Sequence, residues 1–209
     1  YWVEGVSSKS KNSKEAMNHF WKQQFESAKN PAIWFSKGFQ LKRAADRMFE
    51  ISQKALLKQE DLFQRSIKDG NFRNGTHALT KKEEKLVLDS EFNGVYFLLI
   101  GFAFENILKG ILVSRNPTYI QGLKVDERLQ THRLVNLFEN CRVSLNQKER
   151  KVLENLTKDI MWRGRYPIPL CLNKMISNEV GVSATNMLDA YFPNRDLIEN
   201  LFQKLKEAK

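Results

Sequence analysis

The chain has 209 residues, with 34 Lys and Arg against 24 Asp and Glu, a formal net charge of +10. A hydrophobic share of 42% and a charged share of 28%, with 14 Phe, 4 Trp and 5 Tyr, match a soluble globular chain with ample core material and exclude a mainly disordered one. Ten Gly, five Pro and two Cys exclude collagen-like and disulfide-scaffold architectures.

Residues 1–13, rich in Ser, Lys and Asn, read as a tail or linker, and residues 14–209 as a single helical domain. A helix is expected over 14–29, with Met17, Phe20, Trp21, Phe25 and Ala28 on one stripe, ending at Asn30-Pro31. A second runs from about 32 to 68, where Phe35, Phe39, Leu41, Ala45, Met48, Phe49, Ser52, Leu56 and Phe63 recur at three- and four-residue steps. Residues 69–75 carry the Gly and Asn of a loop. Thr80 with Glu83 forms a capping box for a helix reaching about Ser114. Its middle is apolar all round, which places it at the centre of a bundle. Asn116-Pro117 stops it, and 116–130 is a connection. Thr131 is expected to cap a short helix carrying Leu134, Val135, Leu137, Phe138 and Cys141, with His132 as its first residue. Asn146 and Glu149 cap the next, which carries Val152, Leu153, Leu156 and Ile160 and ends near Gly164 and Pro167. Residues 167–193 show no strong periodicity. Asn194 then caps a last helix with Leu197, Ile198, Leu201, Phe202 and Leu205 on one face. No strand alternation persists, so the fold class is all-α, a helical bundle.

The longest apolar run, from Val95 to Phe104, is half the length of a membrane span and is followed at once by Glu105, Asn106 and Lys109. No secretory leader pattern opens the chain, and two cysteines, Cys141 and Cys171, fit a reducing compartment, so the expected location is cytoplasmic, with no membrane partner. There is no Gly-rich phosphate loop, His-Glu-x-x-His, paired Cys-x-x-Cys or Gly-x-Ser-x-Gly. His19, His77 and His132 fall on different elements, so no metal and no cofactor is expected.

The most informative stretch lies between Gly101 and Pro169. It reads Phe104-Glu105-Asn106-Ile107-Leu108-Lys109-Gly110, then Thr131-His132-Arg133-Leu134, then Trp162-Arg163-Gly164-Arg165-Tyr166-Pro167. This order resembles the HEPN (higher eukaryote and prokaryote nucleotide-binding) family of helical bundles, with the HEPN-like part at about 81–170, extra N-terminal helices and a C-terminal helix. The resemblance implies one of two activities. Some members are ribonucleases that use Arg, four to six residues and then His from two copies at a dimer interface. Others lack that motif and bind nucleotides, nucleic acid or a protein partner. Here Arg128 to His132 and Arg73 to His77 both have only three intervening residues, which departs from the nuclease pattern.

On the residues themselves, Glu105 and Lys109 stand four apart on a helix and suit an ordinary surface ion pair, while Lys109 also reads as a phosphate-facing cation. His132 at a helix N-terminus favours an anion. Arg163, counted at about 100° per residue, shares a stripe with Val152, Leu156 and Ile160 and needs either a carboxylate such as Glu105 or a ligand phosphate. Tyr166 stacks on a base or packs. The expected phosphate-binding set is therefore Lys109, His132, Arg163, Arg165 and Tyr166. The expected function is binding of nucleic acid (RNA) or a nucleotide phosphate by a homodimer. The alternatives are a metal-independent endoribonuclease with His132 (or His77) as acid–base and Arg163 or Arg165 on the phosphate, and a protein-interaction module.

Overall fold

The computed structural model describes residues 5–68, 80–90, 92–121, 124–163 and 194–208, leaving out the side chains of 5–15, 63, 66, 67, 93, 162 and 163. The expected loop at 69–75, His77 and the 164–193 segment with Arg165, Tyr166 and Cys171 lie outside the described residues. Within them the protein is an all-α bundle: α1 (Gly5–Ser27), α2 (Pro31–Lys68), α3 (Lys81–Ser90), α4 (Phe92–Arg115), α5 (Glu127–Gln130), α6 (Leu134–Asn140), α7 (Gln147–Lys158) and α8 (Arg195–Glu207).

Local chemistry sets most of these boundaries. Pro31 is the first residue of α2, a position whose N–H has no partner in the helix anyway. The Asn30 side chain accepts from the Ala32 N–H at 3.0 Å. The 38-residue α2 is about 57 Å long. Ahead of α3, the Thr80 N–H donates to Glu83 at 2.7 Å and the Glu83 N–H donates to the Thr80 hydroxyl at 3.3 Å, the reciprocal pair expected from the spacing. The same capping box forms at α7, with Asn146 and Glu149 bonded at 2.8 and 2.9 Å.

Helix α4 is the central element, in contact with α2, α3, α6, α7 and α8. Phe104, Leu108, Ile111 and Val113 are buried on it, whereas Leu98, Leu99 and Phe102 are half-buried. The Lys81–Arg115 stretch is long and apolar enough to cross a membrane, but 72% of its most apolar window is buried inside the bundle, as befits a core helix. Phe104 stacks on Phe202 of α8 at 4.1 Å and meets Phe138 of α6 edge-on at 5.7 Å. Arg115, in the last turn of α4, donates to the Cys141 carbonyl at 2.7 Å and the Ala208 carbonyl at 2.8 Å, fastening three chain segments at one end of the bundle.

Helices α2 and α4 approach closely because Gly38 has no side chain. A Cβ there would sit 2.5 Å from Ile107 Cγ1 and 3.1 Å from the Ala103 carbonyl oxygen. Gly38→Ala gains about 1 kcal/mol of helix propensity but forces a stiff β-branched side chain aside, at a cost of about 1–3 kcal/mol. The expected outcome is a lower Tm, read by thermal circular dichroism.

Helix α8 docks through buried Ile198, Leu201, Phe202 and Leu205. Lys42 of α2 bridges Asp46 and Glu199, both at 2.9 Å, with its ammonium 5.0 Å from the Phe202 ring centroid. Lys204 reaches the buried Glu149 carboxylate at 2.7 Å, and so links α8 to α7.

Burial pushes the Cys141 thiol from 9.0 up to about 12, with nearby Arg115 pulling the other way. A pKa raised on folding contributes stability that is complete below the unfolded value and is lost as pH rises through the window between the two. Stability should therefore fall from about pH 9 toward pH 12. In a Cys171→Ser variant, the remaining thiol should react with a thiol reagent only as fast as the protein unfolds.

Four expectations need correction. Residues 5–13 belong to α1 and are not a linker, since no Pro or internal Gly interrupts them. The connection after α4 is not featureless: a 3₁₀ turn at Pro117–Tyr119 leads into two-residue antiparallel strands, Ile120–Gln121 against Lys124–Val125, too short to show as alternation. Helix α6 begins after Arg133, because the Thr131 hydroxyl accepts from the Arg133 N–H two residues on, at 3.1 Å, in place of a capping bond three residues on. Finally, α7 gives way to a π-helical turn over Asp159–Arg163, which ends the 100° phasing that put Arg163 on the α7 stripe.

Candidate functional site

The site is built on the middle of α4. Glu105 and Lys109, one turn apart, project from the same side of a helix that has little exposed surface. Both are buried, with side chains 9% and 8% exposed, and the Lys109 ammonium donates to Glu105 Oε1 at 2.6 Å. This corrects the surface-pair expectation: α4 is enclosed, so a charge on it is desolvated and must be paired. It also corrects the expectation of Lys109 as a cation facing a phosphate directly, because its ammonium is committed to Glu105.

The second oxygen of Glu105 is taken as well. His132, in the extended approach to α6, places Nδ1 3.0 Å from Glu105 Oε2. A carboxylate can only accept, so Nδ1 carries the hydrogen and donates it. The His132 side chain remains 49% exposed, and its Nε2 has no partner among the described residues. One buried carboxylate thus joins an inner ammonium to an imidazole at the surface. The hydroxyl of Thr131 fixes the chain just before this point, and the Leu134 N–H is held by the Thr157 hydroxyl at 3.2 Å, which in turn donates to the Leu153 carbonyl at 2.8 Å. The imidazole therefore sits on a braced segment. Anion capture at the α6 N-terminus does not apply, because His132 precedes the helix and one of its leading N–H groups is already bonded.

Exposed cations surround this segment in sequence. Arg133 is next to His132, Lys124 lies on the short ribbon, and Arg128 stacks 4.7 Å over the Tyr119 ring while donating to its hydroxyl at 2.7 Å. That hydrogen bond, with Asp126 nearby, raises the Arg128 pKa further above its ordinary value.

Of the expected set, the structure brings His132 and Lys109 together through Glu105. The Arg163 backbone lies in the π-helical turn, and its side chain is outside the description, as are Arg165 and Tyr166 entirely. Glu105 is absent from the expected binding set and figures in the sequence reading only as an ion-pair partner for Lys109 or Arg163. Its position in an all-round apolar helix was the available signal. Among the described residues no group of three His, Cys, Asp or Glu side chains is placed to hold a metal ion. A small cavity lined by Phe35, Phe39, Ile107, Phe202, Leu205 and Lys206 has none of the three site residues in its wall. Comparison of the chain with protein-family models, curated proteins and solved structures finds no match.

Proposed function

We propose that the protein binds a phosphate group of a nucleic acid (RNA) or nucleotide, with His132 as the contact residue and Arg133 beside it. The observation that carries this is the hydrogen bond from His132 Nδ1 to buried Glu105, which on a braced segment leaves Nε2 without a partner among the described residues. A protonated Nε2 donates to a phosphate oxygen in a charge-assisted bond. The net charge of +10 supplies the long-range attraction. The same proposal carries the HEPN resemblance, a homodimer and a cytoplasmic setting.

The Glu105–His132 bond also favours a second reading, RNA cleavage. A carboxylate that fixes the imidazole tautomer and orientation is what a general acid–base histidine needs. Both are tested by incubating the protein with labelled single-stranded RNA at two salt concentrations and scoring retention and cleavage. If about four phosphates are neutralised, raising salt from about 50 to 200 mM should weaken binding about fifty-fold. No retention at low salt overturns the proposal, and cleavage that disappears in His132→Ala selects the second reading.

A further inference from the structure

We infer that the Phe20–Trp21 pair on α1 is a stacking platform for the bases of a single-stranded nucleic acid, an inference that rests on the phosphate-binding reading and names its substrate class. Helix α1 is anchored at its C-terminal end, where Phe25 and Ala28 pack on the core and the Trp34 indole N–H donates to the Ala28 carbonyl at 2.7 Å. One turn upstream the same stripe leaves the core. Met17, Phe20 and Trp21 are 54%, 47% and 60% exposed, an uncommon degree of exposure for two large aromatic side chains. Their rings meet edge to face, with centroids 5.2 Å apart and planes at 71°. Lys22 is exposed next to Trp21, and His19 is bonded to Gln23 at 3.0 Å on the adjoining turn.

Charge and register decide what this face fits. Helix α1 carries Lys9, Lys11, Lys14 and Lys22 against Glu15 and Glu26 in a chain of net charge +10, which complements a polyanion. An apolar partner helix or a membrane surface would need the apolar stripe to continue for several turns. Here the exposed part of the stripe spans little more than one turn: the upstream register positions hold Ser13 and Ser10, and downstream Phe25 and Ala28 are already packed on the core. A short aromatic pair among cations suits bases, each of which offers a π-face, with the phosphates following the positive charge.

The test uses the full chain and a fluorescein-labelled oligouridylate of about ten nucleotides, within the site sizes of such proteins, followed by anisotropy at low salt. Trp21→Ala should weaken binding about tenfold to a hundredfold, Trp21→Phe should bind nearly as wild type, and Trp21→Leu should be as weak as Trp21→Ala. Unchanged circular dichroism is expected for all three, because the side chain lies outside the core. Wild-type affinity in Trp21→Ala, or full rescue by Leu, overturns the inference. So does Trp21-dependent binding to phosphatidylserine vesicles, or Trp21-dependent self-association, without an effect on RNA. If the wild type fails to bind RNA, both readings fall. If Trp21→Ala weakens binding and His132→Ala does not, the stacking platform stands and the His132 contact falls.

Discussion

Lys109→Ala lowers the stability of the protein by about 3–5 kcal/mol, the cost of leaving a buried charge without its partner. Lys109 and Glu105 are both under 10% exposed, and the ammonium is 2.6 Å from the carboxylate. With Lys109 gone, Glu105 keeps only His132 as a donor among the described residues, in a low-dielectric interior. The loss is in the pairing more than in the charge as such, so Lys109→Met combined with Glu105→Leu should recover most of the stability, since apolar replacements of buried ion pairs are often neutral or better. Denaturant titrations of wild type, single and double variants measure this. A Lys109→Ala variant within about 0.5 kcal/mol of wild type, the range of unremarkable surface substitutions, would mean that the pair is solvated.

His132→Ala should act in the opposite way, with a small effect on the fold and a large one on binding. Its side chain is half exposed, and Glu105 keeps Lys109, so the stability change is about 1 kcal/mol, the net worth of one hydrogen bond. The proposed bond to phosphate is charge-assisted and worth about 1.5–3 kcal/mol, so its loss should weaken affinity roughly tenfold to more than a hundredfold. Glu105→Gln keeps the shape but leaves one acceptor oxygen for two donors, Lys109 and His132, and should give an intermediate loss of affinity. RNA titrations of the two variants, next to their denaturation curves, separate a binding role from a structural one.

The contrast between these two residues shows what the sequence makes legible. The capping boxes at Thr80–Glu83 and Asn146–Glu149 are three-residue events whose chemistry is complete within one turn, and both form as expected. Central burial of α4 follows from an apolar residue set on every side. The Glu105–Lys109 pairing is readable from its spacing, and its burial from the apolar residues on every side of α4, but the helix-surface rule presumes an exposed face that α4 lacks and so points to a surface pair. The Glu105–His132 bond spans 27 residues and depends on how α6 folds back on α4, which no local pattern encodes. For Arg163 the local pattern misleads in a different way: its assignment to the α7 stripe presumes a regular α-helix through Asp159–Arg163, where the backbone makes a π-turn. The entry to α6 slipped by two residues because the Thr131 hydroxyl bonds to Arg133, an alternative that Thr offers as readily as a cap.

The central claim is that His132 presents Nε2 to a phosphate while Glu105 holds Nδ1. Nitrogen resonances of the imidazole rings, recorded on ¹⁵N-labelled protein and assigned by comparison with His132→Ala, test it during titration with a short single-stranded RNA. The account predicts that His132 Nδ1 stays protonated throughout and that Nε2 shifts in step with binding, with His19 and His77 moving less. RNA binding that leaves the His132 Nε2 resonance unmoved, or a free protein in which Nδ1 carries no proton, would contradict it.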